Sequence, residues 1–576
     1  MFVRRADAHT KHSKNETAHS QGSAVGKTFF SGVLVLTLST VLVKIIGLFY
    51  KIPMLRYLGS VGMGYFNAAY EWYAMLCVIT TAGLPIAVSM LISKENSQQG
   101  TKAMRARAIR RIERLSMRIF LIFGLIGSVV LFFGAGFISD LIDSPMTVYA
   151  LRAVAPTMFF SCVSASYRGY FQGFQNMKPT AISQLIEAVG KLVLGIAFAH
   201  LAKRAGMDEA HIAAFAMLGL SLGVAIACLY LAIYRARYTI GATSSENVGH
   251  DTRRPLTVRA TSPLLRQLLT IAVPVTLSSS VLSLTKIVDM AMILRCLQEI
   301  GYTTEEANAL YGIYTTMAVP IFNLVPALLT SVSLALIPTL SAQISVGDHQ
   351  AQKDTVSAAM RLTALLSLPA SLALALYSRP VLSLLFHPDM QDLASAAPML
   401  SLLAVSVAFS GMITTTNATL QAFGQVRVPI VSMLFGSAVK LLSAYILISQ
   451  PDINILGAPI STLLCNSVIV GINLQVLYRR TGVGGEVNKT LLQPLAVSLP
   501  SVGIPAAIVA YLIKLGFDER ILFVSAVPLT ILLLAALSLR FGIVGVRELS
   551  STPIGLRLKR VAMRLPFCRK IMKRIE

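Results

Sequence analysis

Lys44, Gly47 and Lys51 stand at i, i+3 and i+7 within the apolar run LVKIIGLFYKIPMLRYLG, and Arg56 follows just beyond. A helix through this run puts both lysines on one face, two turns apart. No acid lies nearby in sequence. A charge at the centre of a span costs on the order of 3 kcal/mol even on lenient insertion scales, so each one asks for a partner or a use. A stripe of cations facing a cavity suits an anionic head group, because lysine supplies a mobile point charge matched to phosphate. The competing reading is that the stems run along lipid and carry the ammonium groups out to the interface.

Other intramembrane charges come in pairs. Glu187 and Lys191 are spaced i, i+4 in the favourable order, and Lys286 and Asp289 are spaced i, i+3. Each pair either neutralises itself or serves gating or ion coupling, opening when a substrate phosphate competes for the cation. Lys440 has no acid near it in sequence, which makes it the charge hardest to explain. Glu71 is an isolated carboxylate within YFNAAYEWYAM; it reads as a proton carrier or as a buried neutral acid hydrogen-bonded to a tyrosine.

The elements that must hold these residues are set by composition. Of 576 residues, 55% are hydrophobic and 13% charged, far more apolar surface than a soluble core of this size uses. Runs of roughly twenty apolar residues recur, each long enough to cross a hydrocarbon core of about 30 Å. About fourteen are expected, near 29–51, 64–92, 118–139, 147–171, 180–201, 211–234, 267–294, 308–342, 357–378, 394–421, 428–449, 454–478, 490–514 and 521–541. The fold class is therefore an all-α polytopic membrane protein.

The net charge of +24 invites a nucleic-acid reading, which its distribution excludes. Basic residues sit on alternate loops: the N-terminal tail, the 93–118 and 235–266 loops, and the C-terminus. The turns between them are poor in Lys and Arg and carry Asp140, Asp143, Glu299, Glu305, Glu306 and Asp452. By the positive-inside rule both termini are cytoplasmic in a multi-pass protein of the cell membrane, which requires an even number of spans. Residues 1–28 lack an apolar run and a cleavage site and read as a disordered basic tail. The C-terminal VAMRLPFCRKIMKRIE reads as a solvated tail or as an amphipathic stretch on an anionic leaflet. Six single cysteines, mostly inside apolar spans, read as small buried hydrophobes.

A repeat organises the spans. At an offset of 249, Gln172 matches Gln421, Phe174 matches Phe423, Lys178 faces Arg427, Ser183 matches Ser432 and Lys191 matches Lys440, whereas Glu187 faces Gly436. AGLPIAVSMLIS ending at Ser93 also resembles TSVSLALIPTLS ending at Ser341. An offset of six spans keeps both copies in one orientation, so they form parallel lobes suited to alternating access. The expected division is a tail at 1–28, an N-lobe at 29–236, a linker at 237–263, a C-lobe at 264–480, two further helices at 488–542 and a tail at 543–576. Gly83, Pro85, Pro274, Pro320, Pro326 and Pro338 interrupt spans; they mark either packing kinks or backbone that lines water. Gly26-Lys27-Thr28 lacks the first glycine of a phosphate loop, and no DxD or HExxH occurs, so neither a nucleotide site nor metal-dependent catalysis is expected.

The blocks LVKIIGLFYKIPMLRYLGSVGMGYFNAAY, YRGYFQGFQNMKPTAISQLIE, TTNATLQAFGQVRVPIVSMLFGSAVKLL and INILGAPISTLL resemble the polysaccharide-biosynthesis family typified by SpoVB and the MurJ-type lipid II flippases, within the MOP superfamily that also holds multidrug exporters. The resemblance covers about 28–545 and implies a fourteen-helix inverted-V fold with two six-helix lobes and two extra helices. It also implies, without a cofactor, export of an anionic lipid-linked oligosaccharide, undecaprenyl-pyrophosphate-linked sugar, for cell-wall assembly. The carrier would work as a monomer among membrane lipids and close to the wall-synthesis machinery, with ion or membrane-potential coupling open. The family's basic-x-x-Gly pattern maps onto Lys44 and Gly47, with Lys51 following; cations near the start of the second lobe would be Lys286 or Arg295; the last two helices would hold the lipid tail. Two other functions stay open: a drug or cation antiporter of the same superfamily, which would want carboxylates around its cavity, and a scaffold of wall synthesis that transports nothing.

Overall fold

The computed structural model describes residues 3–97, 101–244, 261–387, 389–481 and 488–541. Among the described residues every regular element is helical. In hydrocarbon an open strand edge has no water to bond, so a helix that satisfies its own backbone is the stable form for these runs. The helices are α1 (Val3–Thr81), α2 (Leu84–Ser97), α3 (Lys102–Phe133), α4 (Ala135–Leu141), α5 (Thr147–Gly173), α6 (Lys178–Arg204), α7 (Glu209–Ser244), α8 (Thr261–Glu299) and α9 (Thr304–Ile313). A π-helical turn, Tyr314–Ala318, leads into α10 (Val319–Val346), followed by α11 (His349–Leu376), α12 (Ser378–Phe386), α13 (Met390–Ala422) and α14 (Arg427–Ile448). The chain continues through α15 (Gly457–Thr481), α16 (Gln493–Lys514) and α17 (Glu519–Arg540).

Twelve stretches of the described residues are long and apolar enough to cross a membrane, against the expected number of about fourteen. The difference arises at two places. The expected spans 29–51 and 64–92 fall in one stretch, Ser39–Asn96, of 58 residues, which Gly59 divides into two helices. At 1.5 Å per residue this is roughly 87 Å, nearly three times a hydrocarbon core of about 30 Å. It is broken at Gly59, whose φ of 69° only glycine adopts cheaply. The expected span 267–294 lies within α8 (Thr261–Glu299), a single helix, of which Leu264–Leu277 is the part counted as apolar among the described residues.

Residues 3–28 also depart from expectation: they continue α1 instead of forming a disordered tail. Extending a helix adds a hydrogen bond for each residue fixed, whereas nucleating one does not, so a proline-free segment abutting a membrane helix tends to prolong it. The basic residues Arg253, Arg254 and Arg259, the 543–576 tail with its amphipathic stretch, and Cys568 lie outside the described residues. The five remaining cysteines are free thiols, four of them buried.

The chain forms two compact units. One takes Met1–Tyr50, Ala69–Ile138 and Met146–Leu284; the other takes Lys51–Ala68, Ser139–Pro145 and Thr285–Glu576. In the first unit α2, α3, α5, α7 and the start of α8 share a core of Leu84, Val88, Ile92, Phe120, Phe171, Leu231 and Leu268. Gly190 meets Gly223 and Gly195 meets Gly219, so α6 and α7 approach backbone to backbone, as small residues permit in membranes. In the second unit Leu340, Met360, Met412, Leu420, Val470 and Leu477 form a corresponding core. Hydroxyls and amides cross-link its helices: Thr363 to Thr415 at 2.6 Å, Ser432 to Asn473 at 2.8 Å, and Asn473 to Asn417 at 2.8 Å.

The repeat is visible in the backbone. α5 ends at Gly173 and α6 begins at Lys178; α13 ends at Ala422 and α14 begins at Arg427, each boundary displaced by the same 249 positions. Between them Gln175 (φ 57°) and Gly424 (φ 73°), also 249 apart, turn the chain in the left-handed region. The matching amide bonds are Gln175 N–H to the Gln172 carbonyl and Gly424 N–H to the Gln421 carbonyl, both 2.9 Å. A long helix followed by a short one, α3–α4, recurs as α11–α12.

Close backbone approach explains several glycines. The amide of Gly83, at the break between α1 and α2, donates to Thr276 Oγ1 at 3.2 Å, and a Cβ added there would stand 2.1 Å from the Ala272 carbonyl oxygen. Gly169 and Gly173, the ends of a G-x-x-x-G within the RGYFQG block, lie against the backbone of Pro85 and the side chain of Ile92. Gly83→Val is therefore expected to destabilise the purified protein by more than the ~1–3 kcal/mol of ordinary overpacking, because the obstacle is backbone. A thermal melt equal to wild type would show that α8 yields at no cost.

Candidate functional site

Within the second unit, α8 and α14 bring Asp289 and Lys440 together. Lys440 Nζ lies 2.6 Å from Asp289 Oδ2, with side chains 18% and 12% exposed. The spacing along α8 pairs Asp289 with Lys286, three residues away. Lys286 instead lies exposed, and the acid that Lys440 lacks in its own helix arrives from another one. Asp289 Oδ1 is buried and has no hydrogen-bond partner among the described residues. Half of this carboxylate is thus committed and half is available, a costly state in low dielectric.

Within the first unit, the i, i+4 expectation for Glu187 and Lys191 is likewise replaced. Glu187 Oε2 accepts from Arg168 Nη2 at 2.9 Å, while Arg168 Nε donates to Ser183 Oγ at 3.0 Å. The ammonium of Lys191 stands over two aromatic faces, 4.3 Å from the Tyr70 ring centre and 5.0 Å from that of Tyr50. Such faces hold a cation by their quadrupoles without neutralising it. Glu71, next to Tyr70, is half-buried and forms no ion pair or hydrogen bond among the described residues.

The α1 cations divide by environment. Lys51, half-buried in the second unit, donates from Nζ to the Thr315 carbonyl at 2.6 Å and reaches Asn67 Oδ1 at 3.4 Å. Thr315 belongs to the π-helical turn, and Asn67 Nδ2 donates to Thr316 Oγ1 beside it at 2.8 Å. Widening a helix by one residue releases carbonyls from the regular ladder, and Lys51 takes one of them. Lys44, in the first unit, is exposed and has no ion pair or hydrogen bond among the described residues. A Cβ built on Gly47, one turn further on, meets nothing within 4 Å, so the space beside Lys44 is open. Arg56 is exposed. Arg295, the other expected cavity cation, pairs with Asp143 at 2.8 Å with both side chains about half exposed.

Two residues were missed in the sequence. Arg168 sits inside the RGYFQG block, and an arginine within a span is as costly as a lysine, which is the signal that marks it. Asn67 gave no signal, since a lone amide in an apolar run is common. Helix α17 contributes to an apolar cavity of about 270 Å³ lined by Leu366, Ala370 and Leu374 of α11, Val381 of α12, and Phe523 and Val527 of α17. Among the described residues no cluster of three His, Cys, Asp or Glu side chains is spaced to hold a metal.

The chemistry these groups offer is charge recognition: one open cation at Lys44, one cation cradled by tyrosines, and two ion pairs that each join two helices, Lys440–Asp289 largely buried and Arg168–Glu187 partly so. The sequence pattern described as "Polysaccharide biosynthesis protein" matches residues 29–343, and that described as "MatE" matches 314–446. Among curated proteins, the uncharacterized membrane protein YabM of Bacillus subtilis (strain 168) is 26% identical over 93% of this chain and 97% of its own. The lipid II flippase MurJ of the same organism is 25% identical over 78% and 84%. A solved MurJ in an inward closed conformation superposes with a TM-score of 0.64 at 14% identity, covering 88% of this chain and 98% of that one. An inward-facing multidrug resistance MATE transporter of the MOP superfamily gives 0.57 at 16% identity, covering 77% and 99%.

Proposed function

Because the chain belongs to the polysaccharide biosynthesis protein family, within the MOP superfamily of flippases and transporters, we propose that its cargo is an undecaprenyl-pyrophosphate-linked sugar, lipid II in particular. It would be carried from the inner to the outer leaflet of the cell membrane by alternating access. The observation that carries this reading is Lys44, an exposed cation of an apolar helix with open space beside it and no protein counter-charge among the described residues. A pyrophosphate supplies the missing charge. Lys191, held on tyrosine faces, offers a second cation to the same anion as it moves. Phosphate is also the ligand able to compete for Lys440 or Arg168 and so open either ion pair as a gate. The apolar cavity against α17 suits a segment of isoprenoid tail.

A cationic cargo is served less well, since Glu187 and Asp289 are each engaged by a cation of the protein itself, and of Glu71, Glu187 and Asp289 only Glu71 has no such partner among the described residues. Vesicles test the proposal directly. The purified chain should move labelled lipid II to the opposite leaflet, and cells depleted of it should hold the precursor on the inner one. A reconstituted protein that moves no lipid-linked sugar while the depleted cells still fail to build wall would leave it as a scaffold. Normal outer-leaflet precursor in cells lacking this chain and every other flippase would dismiss the cargo itself.

A further inference from the structure

We propose that the groove between the end of α2 and the start of α8 holds an anionic phospholipid of the phosphatidylglycerol type, head group on Lys94 and Arg266. The groove has a volume of about 610 Å³; Gln267 and Thr270 add polar edges, and Met90 and Ile271 an apolar floor. Lys94 lies in the last turn of α2, where the 93–118 basic loop begins, and Arg266 in the second turn of α8, where the 235–266 basic loop ends. Two exposed cations of opposite helices therefore stand where spans meet a basic surface, the arrangement that binds acidic lipid head groups.

The exposed apolar face of α8 beside the groove favours a lipid over a soluble phosphate. Leu265, Leu269, Val273 and Leu277 repeat every fourth residue along α8 and are all exposed, as are Ile86 and Met90 on α2. From Arg266 to Leu277 a helix rises roughly 16 Å, about half of a hydrocarbon core of ~30 Å and hence the depth of one leaflet. Leu268 and Ala272, on another face of α8, pack with Leu84, Ala87, Val88 and Leu91, so the two helices are fixed together beneath the groove. Charge at the mouth and apolar rails one leaflet deep match a lipid with a phosphodiester head. This site does not depend on the cargo proposed above.

The test titrates the purified full chain in neutral detergent with short-chain phosphatidylglycerol or phosphatidylcholine and counts bound lipid by native mass spectrometry. Saturable binding of the anionic lipid alone is expected. The Lys94→Gln/Arg266→Gln variant should bind it about thirtyfold more weakly, the product of two cation contributions. Lys94→Arg/Arg266→Lys should bind like wild type, and so should Arg107→Gln/Arg114→Gln, which removes two exposed cations of α3 outside the groove. Equal retention of both lipids, an unaltered Gln/Gln variant, a matching loss in the α3 control, or a loss in the charge-preserving swap would each overturn the proposal. So would displacement of phosphatidylglycerol by undecaprenyl pyrophosphate at equal concentration, which would make the groove a station for the cargo.

Discussion

Lys44→Ala is expected to reduce lipid II movement in vesicles by roughly ten- to a hundredfold, the value of one charge-assisted bond to phosphate of about 1.5–3 kcal/mol. The same change should leave the melting temperature almost untouched, because Lys44 is exposed and no described residue depends on it for a hydrogen bond or ion pair. Lys44→Arg should keep much of the activity, and Lys44→Glu should lose more than alanine does, since it repels the anion. Lys51 provides the contrast. Its ammonium holds the Thr315 carbonyl, so Lys51→Ala should lower thermal stability along with transport. The decisive measurement is the pair of readouts on one preparation. A Lys44→Ala protein that transports at the wild-type rate would remove the residue from the mechanism.

Lys440→Met is expected to cost about 3–5 kcal/mol, because it strands Asp289 in a buried site where one oxygen already lacks a partner. Asp289→Leu should be comparably damaging through the abandoned ammonium. The double variant Asp289→Leu/Lys440→Met should recover most of the loss, since two apolar side chains of similar bulk replace a pair whose attraction only just offsets its desolvation. If the pair is also a gate, the recovered protein will be stable and yet impaired in lipid II movement. Simple additivity of the two single losses would mean that the charges do not sense each other, and the 2.6 Å contact would lose its meaning.

Much of this molecule is legible in its residues. Apolar runs give the helices, and the 249-residue register, drawn from a few polar matches, reappears as identical helix boundaries and turns at Gln175 and Gly424. The charges worth noticing were also visible. Their partners were not. Glu187 with Lys191 and Lys286 with Asp289 satisfy the spacing rule for an isolated helix, yet in the bundle each acid is engaged from another helix, by Arg168 and by Lys440. Spacing along one helix says which side chains share a face, but not which neighbouring helix that face meets. The π-helical turn is equally silent, because no residue type demands it.

That turn resets the phase of α10. A π-helical turn houses one residue more than the α-helical ladder has room for, and one residue corresponds to about 100° of rotation. Every side chain from Val319 onward therefore points about 100° away from the direction that the phase of α9 would dictate. Lys51 and Asn67 clasp the backbone and side chain of this one extra residue's turn. Two polar residues of the first transmembrane stretch thus act as a clutch on the azimuth of a helix more than 250 positions downstream.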